Sequence, residues 1–414
     1  MTFFRVVLLI FTFFIPVYTG HAGIKLKIDD DRYMEVFLMG QIWGVYSTDL
    51  SIPGENSLKK RVDGYIRRGR FGFRGRLTGD ISYKIWFAYD NVGKDSYNPA
   101  DVARGSIKNE GSYSKIELWD AFFTWYIDRQ LANITFGYFR PQIGRENITS
   151  GFAVLSFEKG LPNFYVRRHI IGKPDSDSGF SSTNGRIYLI NWGGLLNREG
   201  WSLNWNAGIG DNQNYTDASN WSPFFSFRTV FSFGQPELKR YSLGYTQTFF
   251  GRRKGVSLGL NYAYQGEGVE KTISGQPKFS NNRMFGVDIL GSYRNIEIVG
   301  EYDILRRKWS DGRRYTDRVW EVKIGYSIQL QNGRVIQPSF SYSRFRPDSN
   351  GNSIFGRKKN VWWDAGINYY INGQKAKITL HYASGKVYNY TNPETADTGT
   401  VKSSYIGIGF QFRI

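Results

Sequence analysis

The chain has 414 residues, with 54 Lys+Arg against 36 Asp+Glu, a formal charge of +18, and no cysteine. Zero cysteine excludes a disulfide scaffold, a cysteine-ligated zinc site and a thiol nucleophile, and only three histidines argue against a histidine-rich metal centre. A charged fraction of 22% beside 28 Tyr, 31 Phe and 12 Trp excludes disorder, and the basic balance points to an anionic partner.

The first segment reads as a targeting signal. Met1–Arg5 carries one positive charge, Val6–Ile15 is almost wholly apolar, and Gly20-His21-Ala22 offers small residues for cleavage. The apolar run is shorter than the ~20 residues of a spanning helix. Residues 1–22 are therefore expected to be a signal peptide and 23–414 the mature domain. Removing 1–22 deletes Arg5 and no acid, which leaves about +17. Export takes the chain away from chromosomal DNA, so no nucleic-acid partner is expected.

The next informative segment is Tyr65–Thr78. Alternate side chains of a strand share a face. Arg68, Arg70, Gly72, Arg74 and Arg76 fall on one side; Gly69, Phe71, Phe73, Gly75 and Leu77 fall on the other. A charge turned to lipid at mid-depth costs about 2–4 kcal/mol. The phenylalanines are thus expected to face lipid and the arginines a lumen. Arg68 to Arg76 spans about 27 Å at ~3.4 Å per residue, so the guanidiniums would form a column down a pore wall. Lys59, Lys60 and Arg61 precede it in an outer loop as an expected collecting funnel. Arginine stays charged and offers oxyanions a planar fork of donors. A ladder of them lets an anion pass from one donor set to the next. The competing reading is a belt that only braces the wall, with Asp90, Asp120, Glu297, Glu301, Asp303 and Glu321 as candidate partners.

The rest of the chain repeats the same alternation without reaching ~18 consecutive apolar residues. Val256, Leu258, Leu260, Tyr262 and Tyr264 oppose Ser257, Gly259, Asn261, Ala263 and Gln265. Trp320, Val322, Ile324, Tyr326 and Ile328 oppose Glu321, Lys323, Gly325, Ser327 and Gln329. At the C-terminus Ile406, Ile408, Phe410, Phe412 and Ile414 oppose Tyr405, Gly407, Gly409, Gln411 and Arg413. The second face is too small and polar to be a packed core, so the apolar face is expected to meet lipid and the inside to be wet. Tight turns at Gly79-Asp80, Asp128–Leu131, Asn295, Gln331–Gly333 and Asn372-Gly373 alternate with long polar loops at 48–63, 92–113, 141–185, 210–222, 267–283, 307–316, 346–360 and 388–404. This predicts an all-β transmembrane antiparallel barrel of about sixteen strands, with long outer loops and short periplasmic turns. To keep that parity, Pro236–Lys254 is read as an extended periplasmic connection rather than a strand.

Arg67-Arg68-Gly69-Arg70-Phe71-Gly72-Phe73-Arg74-Gly75 resembles the arginine strand of the phosphate-selective porin O and P family. The resemblance continues through Leu118-Trp119-Asp120-Ala121-Phe122, Phe136-Gly137-Tyr138-Phe139-Arg140-Pro141, Thr149-Ser150, and Trp363-Asp364-Ala365-Gly366-Ile367-Asn368-Tyr369-Tyr370-Ile371-Asn372-Gly373. It implies a sixteen-stranded, trimeric barrel in the outer membrane lipid of a Gram-negative cell, conducting small inorganic anions such as phosphate and chloride. It also implies that the third outer loop, about Gln142–Lys173, folds inward and narrows the lumen. Arg145 and Lys159 are then the loop cations of the anion pathway, and Asp120 matches the family's acid facing the cationic wall. Where phosphate-specific members carry lysines beside the Thr-Ser pair, this chain has Arg145, Asn147 and Phe152, so anion preference is the expectation rather than high phosphate affinity. No enzyme and no cofactor is expected: His21 lies at the signal's end, His169 in a loop and His381 on a strand's lumenal face. The alternatives are a sugar-specific or general-diffusion porin, in which inward Trp43, Trp86, Trp362 and Tyr370 would stack sugar rings, and an outer-membrane barrel enzyme.

Overall fold

The computed structural model describes residues 24–55, 60–107, 111–112, 115–172, 185–215, 222–271 and 273–414. The expected signal peptide therefore lies outside the described residues, as do Lys59 and Lys173. Among the described residues, sixteen long strands close into one antiparallel barrel. The first eight are β1 Tyr33–Ser51, β2 Val62–Thr78, β3 Ile81–Val92, β4 Glu117–Asp128, β5 Ala132–Phe139, β6 Ile187–Arg198, β7 Trp201–Asp211 and β8 Pro223–Gly234. The second eight are β9 Gly255–Gln265, β10 Lys278–Tyr293, β11 Ile296–Trp309, β12 Arg314–Tyr326, β13 Val335–Arg346, β14 Lys359–Asn372, β15 Ala376–Thr391 and β16 Thr398–Arg413.

Each strand pairs with its neighbours in sequence, and β16 returns to β1 in a register from Arg413 opposite Met39 to Lys402 opposite Ser51. The chain end takes part: Ile414 N–H donates to Leu38 O at 2.8 Å, and Leu38 N–H donates back at 3.0 Å. A closed sheet leaves no backbone edge unpaired in lipid, which is the condition for spanning with strands.

The period-two faces fall as expected. Leu258, Leu260, Ile324, Ile408 and Phe410 are exposed on the outside, whereas Ser257, Asn261, Lys323 and Gln411 point inward and are buried. Turns on one side are short, and the turn at Gln331–Gly333 uses Asn332 and Gly333 at positive φ. On the other side, the loops expected at 307–316 and 388–404 shrink to 310–313 and 392–397, because the flanking strands continue further.

The interior departs from a uniformly wet lumen. The third outer loop folds inward and crosses the barrel. It carries two short helices, α1 Arg145–Ile148 and α2 Leu161–Val166, followed by a π-helical turn at Arg167–Ile171. Gly144 N–H donates to Asn261 Oδ1 at 3.0 Å, Leu161 N–H to Ser343 Oγ at 3.4 Å, and the Phe157 ring packs tilted on Trp43 at 4.2 Å. The small residues of the inner face make room for such insertions. A Cβ on Gly407 would meet Phe157 Cζ at 2.5 Å, and one on Gly385 would meet Ala103 O at 1.7 Å.

The connection from β8 to β9 also enters the barrel. It contains no long strand, as expected, but it does not extend into the periplasm. Tyr241 Oη donates to Asn206 Oδ1 at 2.8 Å and Tyr245 Oη to Asn204 Oδ1 at 2.7 Å. Tyr245 bridges Thr149 of the third loop, and Gln247 N–H donates to Ala153 O at 3.1 Å. The reason is the row of inward asparagines on β6 and β7, which offers buried partners to polar side chains and to a non-strand backbone.

Candidate permeation pathway

Two β-bulges shape the channel wall. Along β1–β2, Gln41 faces Arg68 and Ile42 faces Ile66, so Arg67 is an extra residue. Along β3–β4, Trp86 faces Asp120 and Phe87 faces Leu118, so Trp119 is extra. A bulge breaks the period-two phase and re-aims side chains. Arg67 and Trp119 consequently join the lining of one cavity of about 1500 Å³, although strict alternation would send both outward.

The cavity is walled by β2, β3 and β4, by the third loop, and by the inserted β8–β9 connection. Arg68, Arg70 and Arg74 line it, and each has an acidic partner. Glu158 of the third loop takes Arg67 Nε at 2.6 Å and also Arg68, which donates to Gln41 Oε1 at 2.6 Å. Asp90 holds Arg70 through both terminal nitrogens, one at 2.7 Å. Glu35 pairs with Arg74, whose side chain is 48% exposed. Asp120 receives Arg186 Nε at 2.7 Å and lies 3.3 Å from Lys84 Nζ. Trp119 stacks between guanidiniums, with Arg70 and Arg186 each 3.9 Å from its ring centre. Cation–π contact of this kind fixes the plane of a guanidinium without neutralising it.

Three expectations need correction. Arg76 does not line the cavity, although its cross-strand partners Tyr33 and Ser82 do. Lys60 is exposed in the outer loop and Arg61 is paired with Asp95, and neither lines the cavity. Arg145 is fully buried away from the channel, with Nη1 2.5 Å from Glu237 and Nε 2.8 Å from Asp288. The one-turn helix α1 aims it at β10 rather than at the pathway.

Lys159 does line the cavity. Its ammonium donates to Glu146 O at 2.8 Å and Asn147 O at 3.0 Å, and no carboxylate among the described residues pairs with it. Arg140 and Arg167 line the same cavity, also without an ion-pair partner among the described residues. Burial and then the nearby Arg140 push the Lys159 ammonium well below its ordinary value. Burial, Arg186 and Arg167 do the same to Arg140, and burial with Arg186 and Arg67 brings Arg167 down to about 10. By contrast, burial raises the Glu158 carboxyl, but Arg67, Arg68 and Arg104 outweigh it and hold the group well below the carboxylate range. Fifteen basic and seven acidic side chains line the cavity, so its walls are strongly positive.

The bracing acids divide into two sets. Asp90 and Asp120 pair with the cationic wall. Glu297, Glu301, Asp303 and Glu321 lie across the third loop and touch none of the ladder arginines. Of the four inward aromatics, only Trp86 lines the channel; Trp43, Trp362 and Tyr370 are buried in packing. His381 is buried too, with Nδ1 2.7 Å from Asp364 and its ring 6.0 Å from Phe157. Lys84 was legible, since Ser82, Lys84 and Trp86 share the inward face of β3. Arg140 stands within the Phe136–Pro141 motif, but nothing in the sequence marks its role. Arg167 sits in a loop without periodicity.

The model of the family described as phosphate-selective porin O and P matches residues 39–286, more than half of the chain. The chain belongs to that family. It is an outer-membrane porin, a barrel that lets solutes diffuse through it, and this family is one of channels rather than enzymes. Solved porins share its fold. The anion-selective porin from Comamonas acidovorans aligns with a TM-score of 0.59 at 11% identity, covering 93% of this chain and 100% of that one. Pseudomonas putida OprB aligns with 0.56 at 10% identity, covering 93% and 94%. The trimer form of Vibrio cholerae OmpT aligns with 0.51 at 11% identity, covering 92% and 99%. A search of curated proteins finds no match.

Proposed function

We propose that this porin conducts small anions, chloride and phosphate-like oxyanions among them, in preference to cations. The observation that carries the reading is the cavity's lining. Fifteen basic groups there face seven acidic ones, and Arg140, Lys159 and Arg167 have no ion-pair partner among the described residues. A confined wall with one sign of excess charge focuses the field and enriches counter-ions. The braced residues Arg68, Arg70 and Arg74 hold their donors in fixed positions, and the other three cations supply the uncompensated charge. Asp120 keeps Arg186 and Lys84 in place without cancelling both. The Comamonas protein's description as anion-selective agrees with this reading.

The decisive measurement is the reversal potential of the purified protein in a planar bilayer under a KCl gradient. Chloride should be more permeant than potassium. Replacing Arg140, Lys159 and Arg167 by Gln together should bring the permeability ratio toward one. Cation selectivity in the unmodified protein would sink the proposal. Block of chloride current by millimolar phosphate would support oxyanion recognition, and its absence would restrict the reading to general anions.

We also propose that residues 1–22 are cleaved as a signal peptide, leaving 23–414 as the barrel, and that three barrels assemble, as in the trimer form of Vibrio cholerae OmpT. N-terminal sequencing of the membrane-extracted protein and its mass in detergent by light scattering check the two points.

A further inference from the structure

We infer that the channel takes organic anions with an aromatic body, aryl carboxylates in particular, better than it takes compact anions of the same charge. This rests on the anion reading above and narrows the substrate class of the same cavity. The cavity is two-sided. Its barrel wall presents Arg70, Arg74 and Lys84. The inserted elements line the same cavity with the half-buried Leu238 and Leu243 of the β8–β9 connection, and with the largely buried Phe152 and Ala153 of the third loop and Tyr245 of the connection.

The apolar side is built from packed clusters rather than stray side chains. Phe152 packs with Phe37 and Met39, and Trp86 lies against them. Tyr245 packs with Ile148 and Val230, and Leu238 lies against that group. Trp86 belongs to the barrel wall, where the Lys84 ammonium sits 3.6 Å over its ring centre and the Phe37 ring lies tilted against it at 4.5 Å. A ring entering the cavity finds Trp86 beside the Lys84 ammonium on the wall and the half-buried Leu238 and Leu243 on the inserted connection.

This arrangement discriminates by physics. A chloride or phosphate ion is strongly hydrated, and an apolar surface replaces none of the water it displaces. An aryl carboxylate gains on both sides: its carboxylate meets guanidinium or ammonium donors, and its ring removes apolar surface from water and stacks on aromatics. A plain aqueous pore of one charge sign would show the opposite order, because benzoate is larger and diffuses more slowly than acetate.

The test compares potassium benzoate with potassium acetate against KCl in planar bilayers, using the full mature protein. The expected result is a benzoate-to-acetate permeability ratio above one. Benzoate should also block chloride current at a concentration at least severalfold below that needed for acetate. The double substitution Leu238→Ser, Leu243→Ser should lower both ratios severalfold, with heat-modifiable gel migration verifying that the barrel has folded. Acetate outrunning benzoate, with chloride still preferred over potassium, would overturn this inference and leave the anion reading standing. Cation selectivity would overturn both. Unchanged ratios in the folded double variant would remove the apolar side from solute recognition.

Discussion

The cations of this channel are of two kinds. Arg67, Arg68, Arg70 and Arg74 are held by Glu158, Asp90 and Glu35, whereas Arg140, Lys159 and Arg167 repel one another in a buried corner. This difference decides which substitutions are informative. Arg70→Glu would set a second carboxylate against Asp90 and is expected to prevent folding. Arg74, half exposed, tolerates the change, so Arg74→Glu should lower the chloride-to-potassium ratio while the barrel still migrates as a folded species. Lys159 carries a pH signature. Its ammonium is pushed well below the ordinary lysine value of 10.5. A base with a lowered value loses its charge earlier as pH rises, so anion preference should decline with a component that sets in below that value. Reversal potentials measured from pH 6 upward read this directly, and Lys159→Gln should abolish that component while lowering the plateau at neutral pH. A profile identical in the variant would assign the titration elsewhere.

The third loop is the element that turns a wide barrel into a channel. It is fastened to the wall opposite the arginines, where Lys323 Nζ reaches Glu146 Oε1 at 2.6 Å and Arg145 reaches Asp288. Removing one partner of a buried pair leaves the other charge uncompensated, at a cost of about 3–5 kcal/mol. Lys323→Met should therefore loosen the loop before it unfolds the barrel, giving larger and noisier single-channel conductance and a lower first thermal transition. Deleting Thr149–Lys159 is the stronger form of this test. It removes Phe157 from Trp43 and Glu158 from Arg67 and Arg68, and it should raise conductance outright. Conductance equal to that of the intact chain would mean that the loop does not limit flow. The β8–β9 connection acts as a second insert, since its Tyr245 meets Thr149 and its Glu237 meets Arg145.

For the whole molecule, sixteen strands closed through β16 and β1 leave no free edge, so the folded barrel should resist detergent and migrate differently on gels before and after heating. Circular dichroism of the unheated species should be β-rich, and a helix-rich soluble product would contradict the fold. The architecture was legible in the chain because its signal is local. Phe71 and Phe73 alternate with Arg70, Gly72 and Arg74, and the same two-residue rhythm recurs to Phe410 and Phe412, set by the pleat of each strand and by lipid on one side. The arginine column could be read for the same reason, and so could Lys84. What required the tertiary structure was every feature that breaks the rhythm or joins distant segments. The bulges that bring Arg67 and Trp119 inward depend on the register with β1 and β3. Whether Arg145 or Arg140 faces the pathway depends on which acids lie across the lumen, in strands more than a hundred residues away. The inward path of 235–254 depends on asparagines of β6 and β7 that a periodic reading treats only as polar. Alternation along a strand tells lipid from lumen by simple solvation. Pairing across the lumen, which separates a bracing charge from a free one, exists only once the barrel has closed.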